Sequence, residues 1–317
     1  MMENQTVSTD FLLLEGIKLL PQSKVATFTV LLLIYIFILV SNIGLVVLIS
    51  LERSLHQPMY LLFCNMGIND VFGCTALIPR LLSDLFLPYA ERYIHYINCV
   101  IQAFCLHLYA SNCHTVLIIM AFDRYVAICN PLRYATIMTS KMVVKLSVSA
   151  WAVSFILVLI LLSLSVRLSR CRAEIFHPFC DNASLFKLSC ESVLINNIYG
   201  LGYTVLLLGT SIGSVTLTYM KIAAVCVISK SKVLNSRALQ TCVTHLAVYI
   251  IMLMSGSIII ILHRFPHLSQ ERKMSSILFH VIPPAMNTVI YGLQIKAVRE
   301  KILIMFLRKT MAVADVK

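Results

Sequence analysis

Charge is what this chain lacks. Only 13% of its 317 residues are Asp, Glu, Lys or Arg, against 59% hydrophobic, and mean hydropathy is +0.87. A soluble domain carries about a quarter charged residues, so the composition excludes a soluble protein and defines an integral membrane one. Alternating ten-residue strands are also missing. The apolar residues sit in long runs, which excludes a β-barrel and leaves helices. No basic stretch or small-residue cleavage site precedes the first run near Val25, so that span is expected to act as an uncleaved signal anchor. No internal repeat and no chain of charges through the membrane are visible, which argues against a transporter or channel. Nor is there a His-Glu-x-x-His motif, a pair of mid-membrane aspartates or a Gly-x-Ser-x-Gly elbow. An enzyme is therefore not expected, nor a cofactor.

What is present is seven apolar runs of membrane-crossing length. They cover about 25–50, 58–82, 98–130, 141–165, 193–227, 237–262 and 274–291. Residues 294–308 alternate apolar and basic groups at helical spacing, as in a helix lying on a membrane surface. The expected fold is an all-α membrane protein, a seven-transmembrane helix bundle with a C-terminal amphipathic surface helix. Residues 1–24 form an extracellular tail, 25–292 the bundle, and 293–317 the cytoplasmic helix and tail. No length remains for a separate soluble domain.

The net charge of +12 could suggest nucleic acid, but its distribution points to membrane lipid or a docked protein. One side of the layout, with Arg53, Arg124, Arg133, Lys141 and the C-terminal tail, collects 15 basic and 4 acidic residues. The other collects 11 basic and 9 acidic, apart from the mid-span Asp70. The positive-inside rule puts the basic side in the cytoplasm and the N-terminus outside. Asn4, in an Asn-Gln-Thr sequon, is then expected to be glycosylated, and Asn182 less so. Of eleven cysteines, Cys99, Cys171, Cys180 and Cys190 lie on the outer side, where disulfides persist. Four cysteines allow three connectivities, and spacing does not choose among them. A zinc site is the weaker alternative in an oxidising compartment.

The third span ends in Met-Ala-Phe-Asp-Arg-Tyr-Val-Ala-Ile-Cys-Asn-Pro-Leu-Arg-Tyr, residues 120–134. Charges at membrane depth are costly, so Asp123 and Arg124 are paired, interfacial or functional. The whole string closely resembles the signature of olfactory receptors, within the rhodopsin-like G-protein-coupled receptors. Further matches extend across most of the chain. They are Pro58-Met-Tyr, His177-Pro-Phe-Cys-Asp through Lys187-Leu-Ser-Cys190, Thr218-Tyr219, Arg237-Ala-Leu-Gln-Thr-Cys-Val-Thr-His245-Leu and Pro283-Pro-Ala-Met-Asn287-Thr-Val-Ile-Tyr291-Gly. The double proline and His263-Arg264-Phe265 look most like the class abundant in fish. A non-olfactory rhodopsin-like receptor is the alternative, disfavoured by the three-cysteine loop and the string ending at His245.

The resemblance implies a multi-pass plasma-membrane receptor that binds a small odorant and activates a stimulatory, olfactory-type heterotrimeric G protein to raise cyclic AMP. It implies the disulfides Cys99–Cys180 and Cys171–Cys190. It also implies a switch in which Asp123 holds Arg124 at rest, within Asp123-Arg124-Tyr125. Tyr219 and Tyr291 approach Arg124 on activation, and His245 latches the third and sixth spans. Two positions depart from the family pattern. Thr288 follows Asn287 where proline is usual, and Cys113 stands where the third span usually has an acid. With Asn42 and Asn287 nearby, Asp70 is either a weak sodium site or an amide-bonded buried carboxyl, the second being favoured.

The resemblance also places a mostly apolar cavity among the third, fifth and sixth spans and the second outer loop. Counting from Cys99, His107 lies about two turns in, with Leu106, Ala110 and Ser111 at similar depth. Gly256, Ser257 and Ile260 reach that level on the sixth span, and Arg264 caps its end. Arg264 with His107 suits a carboxylate-bearing, water-soluble ligand, because guanidinium is the bidentate partner of carboxylate. The competing reading solvates Arg264 or pairs it with Glu271, and makes His107 a satisfied core histidine.

Overall fold

The protein's structure is a computed structural model that describes residues 10–229, 232–262, 265 and 267–294. Its helices are α1 (Pro21–Leu51), α2 (Pro58–Asp84), α3 (Tyr96–Cys129), a single turn α4 (Tyr134–Ile137), α5 (Ser140–Val166), a short α6 (Asn182–Phe186), α7 (Leu194–Ser229), α8 (Lys232–Leu262) and α9 (Ser269–Gln294). Six of the long helices are apolar enough to cross a membrane. The seventh, α9, opens on Ser-Gln-Glu-Arg-Lys and joins the bundle by packing on α1, α2 and α8. The surface helix expected over 294–308 and the sequon Asn4 lie outside the described residues.

Helix ends depart from the sequence expectation for one reason. Hydropathy marks the apolar part of a helix, whereas caps and prolines mark its ends. Thus α1 begins at Pro21 rather than Val25, with proline in the first turn where its missing N–H is harmless. The Thr139 hydroxyl accepts the Met142 amide at 3.2 Å and starts α5. Likewise α8 begins at Lys232 rather than Arg237, and α9 runs over 269–294 rather than 274–291.

Helix α3 is the axis of the bundle. Some 67% of its apolar window is buried, against 28% for α1 and for α5 and 17% for α7. It packs on α2, α5, α7 and α8. Peripheral helices turn residues such as Val30, Leu33, Val153 and Ile156 outward. Apolar surface gains little by leaving lipid, so close packing and polar bonds must hold such helices together. Ser111 donates to Ser154 at 3.0 Å, Trp151 to Asn65 at 2.9 Å, and the Asn69 amide to the Tyr109 carbonyl at 3.1 Å. At the α2–α3 crossing a methyl group on Gly73 would overlap the ring of Tyr109, which is itself fully buried. Gly73→Ala is therefore expected to cost about 1–3 kcal/mol, the usual range for overpacking. A lowered melting temperature of the purified protein would show it.

One end of the bundle carries a structure that the sequence reading did not expect. Residues 11–14 are not free tail. They form β1 (Phe11–Leu14), the middle strand of a sheet with β2 (Tyr93–His95) and β3 (Glu174–Ile175). The β1 strand pairs antiparallel with β2 and parallel with β3. Leu12 and Leu14 point inward on alternate positions and are fully buried against the Cys99–Cys180 region. Both disulfides stand at this end: Cys99–Cys180 with Cα atoms 5.3 Å apart, and Cys171–Cys190 at 5.8 Å. The segment turns into α1 at Gly16, whose φ of +69° suits glycine, and a Cβ there would meet the Arg92 guanidinium.

Candidate functional site

At the opposite end of the bundle, α3 delivers Asp123 and Arg124 side by side. Asp123 is fully buried and Arg124 partly so. The Arg124 Nε donates to Asp123 Oδ2 at 2.9 Å, and a second guanidinium nitrogen meets the same oxygen. The other oxygen, Oδ1, accepts the Tyr134 hydroxyl at 2.9 Å. One carboxylate thus holds both the arginine and α4. Tyr134 is the last residue of the 120–134 string, but nothing in the sequence shows that it reaches back to Asp123. Tyr125, half-buried, packs with Tyr219 in a small apolar cluster, and Lys221 lies over its ring at 5.6 Å.

A second knot ties α3, α7 and α8 together. His245 is buried; its Nε2 lies 3.1 Å from the Leu117 carbonyl and its Nδ1 lies 2.7 Å from the Tyr219 hydroxyl. A carbonyl only accepts, so Nε2 carries the proton and Nδ1 accepts from Tyr219. A single neutral tautomer satisfies both bonds. Farther along, His114 Nδ1 lies 3.2 Å from the Ser211 hydroxyl, which donates to Tyr249 at 3.2 Å. The same three helices are therefore linked twice. Sequence reasoning missed this second link, because Ser and Tyr inside apolar spans carry no directional signal.

The buried polar centre lies between α2 and α9. The Asn287 amide donates to Asp70 Oδ2 at 2.9 Å. Asn42, expected beside them, spends its amide on the Ile38 carbonyl of its own helix, at 3.0 Å. Among the described residues no group of three or more His, Cys, Asp or Glu could hold a metal ion. The geometry matches the amide-bonded carboxyl more closely than a sodium shell. Pro283 and Pro284 lie within α9, and Thr288 continues that helix, its hydroxyl 3.1 Å from Ser41 on α1. Pro284 has no N–H to give the carbonyl one turn back. That carbonyl belongs to His280, and the Cys74 thiol donates to it at 3.1 Å.

The residues expected around a ligand do not all converge. Leu106 is buried, but against α2 and α9 side chains and Phe179. Ala110 packs on the main core. The Ser111 hydroxyl donates to Ser154 on α5 at 3.0 Å. Gly256 faces Phe279 on α9, Ser257 is half-buried, and Ile260 is 44% exposed on the outside of the bundle. A helix turns 100° per residue, so a depth count that ignores rotation places the right level and the wrong face. It is the neighbour Ile259 that lines a cavity. His107 Nε2 accepts the Asn182 amide at 3.2 Å, so it acts as a clamp on the loop after α5 and does not offer that nitrogen to a ligand. The Asn182 side chain is buried and bonded to Ser165 at 2.6 Å, a poor glycosylation acceptor. Arg264 and the side chain of Tyr291 lie outside the described residues.

A cavity of about 200 Å³ opens at the disulfide end between the loop carrying β3 and α6 and the neighbouring ends of α8 and α9. His177 and Asp181 stand in its wall. Burial pushes the His177 imidazole below its ordinary value, with Asp181 pulling the other way. Burial works to raise the Asp181 carboxyl, but His177, the Ser184 hydrogen bonds and His107 outweigh it and leave it below the ordinary carboxylate value. Its Oδ1 accepts the Ser184 amide at 2.7 Å, capping α6.

A bundle of seven long helices, with a disulfide-bridged cap at one end and an Asp-Arg pair beside a three-helix knot at the other, has the architecture of a membrane receptor. The chain belongs to the olfactory receptor family: the olfactory receptor family model matches residues 31–309. Among curated human proteins it is 30% identical to olfactory receptor 52N2 over 95% of this chain and 94% of that one. It is 34% identical to olfactory receptor 52N5 over 86% and 85%. It is also 34% identical to olfactory receptor 2A25, over 93% and 95%. The protein is thus a multi-pass plasma-membrane odorant receptor of the G-protein-coupled kind, and not an enzyme. The non-olfactory alternative gives way to this match.

Proposed function

We propose that this receptor detects a small, water-soluble, carboxylate-bearing odorant at its disulfide end and activates a stimulatory G protein at its Asp123–Arg124 end, raising cyclic AMP. The disulfide end faces outward, because bridged cysteines persist in an oxidising compartment while basic residues collect at the other end. The observation that carries the switch is the knot of Tyr219, His245 and the Leu117 carbonyl. It ties α7 and α8 to α3 immediately above Arg124. While those bonds hold, Arg124 stays with Asp123 and the helices remain closed. An agonist that binds the open arrangement better releases them, and only that difference in affinity drives the change. Asp123, Arg124, Tyr125, Tyr219, His245, Asn287 and Tyr291 are assigned to this switch.

The test is cyclic-AMP accumulation in cells expressing the chain, screened against short carboxylic acids, amino acids and neutral odorants, with Arg124→Ala alongside. A ligand-dependent rise that Arg124→Ala abolishes at equal surface expression is the expected result. An undiminished rise in Arg124→Ala would remove the switch assignment.

A further inference from the structure

The cavity at the disulfide end has a charge pattern of its own. Arg172 and Lys187 reach it from the loop and Arg272 from the first turn of α9, facing Glu174 and Asp181. Asp181 is already spent on the cap of α6. Among the described residues no ion pair within 4 Å engages Arg172, Lys187 or Arg272. Arg80, Arg124 and Lys273, by contrast, all have carboxylate partners. Arg272 is also half-buried, with no carboxylate in ion-pair range among the described residues. Beside these cations the wall is apolar at Ile259 and Ile175. A guanidinium next to an apolar wall, in a space of about 200 Å³, fits one carboxylate with a short hydrocarbon tail.

We propose that this cavity is a binding station for small monocarboxylates, with Arg272 as the anchor and Lys187 and Arg172 as supporting cations. It deepens the carboxylate reading above and rests on it for the ligand class, but not on any step toward the G protein. It also shifts the anchor from the end of α8 to α9, where recognition is set between the loop and the helix that carries Asn287. Arg272 directly precedes Lys273, which is tied to Glu15, so the anchor stands on a turn that is already held in place.

Saturation-transfer NMR on the purified full-length receptor in nanodiscs tests this with butyrate, using butyramide as the neutral analogue. Butyrate should give a transfer signal that butyramide does not. Arg272→Gln should lower the butyrate signal about fivefold or more, as expected when a charge-assisted contact is lost. Arg272→Lys should restore part of it. Equal signals from butyrate and butyramide on the wild type, or a full butyrate signal in Arg272→Gln, would overturn the station. The first comparison needs no variant to fold. Butyrate bound through Arg272 with no cyclic-AMP response would leave the station standing and remove the acid-receptor reading. A response untouched by Arg272→Gln would do the reverse.

Discussion

His245→Ala is expected to raise basal cyclic AMP in the absence of any ligand. In the closed arrangement the imidazole donates to the Leu117 carbonyl and accepts from Tyr219. An intramolecular hydrogen bond contributes about 0.5–1.5 kcal/mol net. If both bonds belong to the closed state, losing them moves the closed-to-open balance by about 1–2 kcal/mol, which is roughly five- to thirty-fold in population. Tyr219→Phe removes one of the two bonds and should have a smaller effect in the same direction. It should also blunt the agonist-stimulated maximum, because Tyr219 is assigned a second contact, with Arg124, in the open state. Adding Arg124→Ala to His245→Ala should silence the receptor. Basal signalling at the wild-type level in both His245→Ala and Tyr219→Phe, at matched surface expression, would mean that the knot only packs the bundle.

The parts of this molecule that were legible in its sequence are those set by composition and by short local strings. Apolar runs locate the spans, because a helix crossing lipid needs about twenty such residues whatever its neighbours. Asp123-Arg124 announces itself because charge at membrane depth is rare. The N-terminal strand was not legible: Phe11-Leu-Leu-Leu14 is a short apolar run, and its partners at 93–95 and 174–175 are remote in sequence. The rotation of each helix about its own axis was not legible either, which is why Ser111 turns to α5 and Ile260 faces outward. In water, an apolar stripe along an otherwise polar helix marks the inward face. In lipid both faces are apolar, so that contrast fades and small or polar groups decide the packing. The Cys74 thiol shows the same limit. Pro284 signals a missing donor, but only the fold shows that α2 supplies one to His280.

Glu15→Gln is expected to loosen the cap at the disulfide end, and by more than any neighbouring charge change. Lys273 is 1% exposed, and its ammonium lies 2.5 Å from Glu15 Oε2. Lys18 also pairs with Glu15, at 3.1 Å, but its side chain is 71% exposed. Exposed pairs contribute about 0–1 kcal/mol, so Lys18→Ala should be close to neutral. Removing one partner of a fully buried pair costs about 3–5 kcal/mol, because it strands the other charge. Glu15 is 18% exposed, which brings the expected cost for Glu15→Gln below that range but well above the Lys18 effect. Acid should act in the same way. Burial alone would raise the Glu15 carboxyl, but its bonds to Lys273 and Lys18 bring it below the ordinary value of 4.5. A depressed carboxyl stabilises the fold above its ordinary value and loses that contribution as pH falls through the lowered one. The Glu15–Lys273 contribution is therefore lost in acid. Thermal unfolding of the purified receptor, with limited proteolysis at residues 10–20, reads both effects. Glu15→Gln should melt earlier and expose the strand to protease, and the swap Glu15→Lys with Lys273→Glu should recover part of the loss. If Glu15→Gln and Lys18→Ala behaved alike, β1 would be held by its sheet partners and by Arg92, whose guanidinium donates to the Glu15 carbonyl at 2.8 Å, and not by the ion pair.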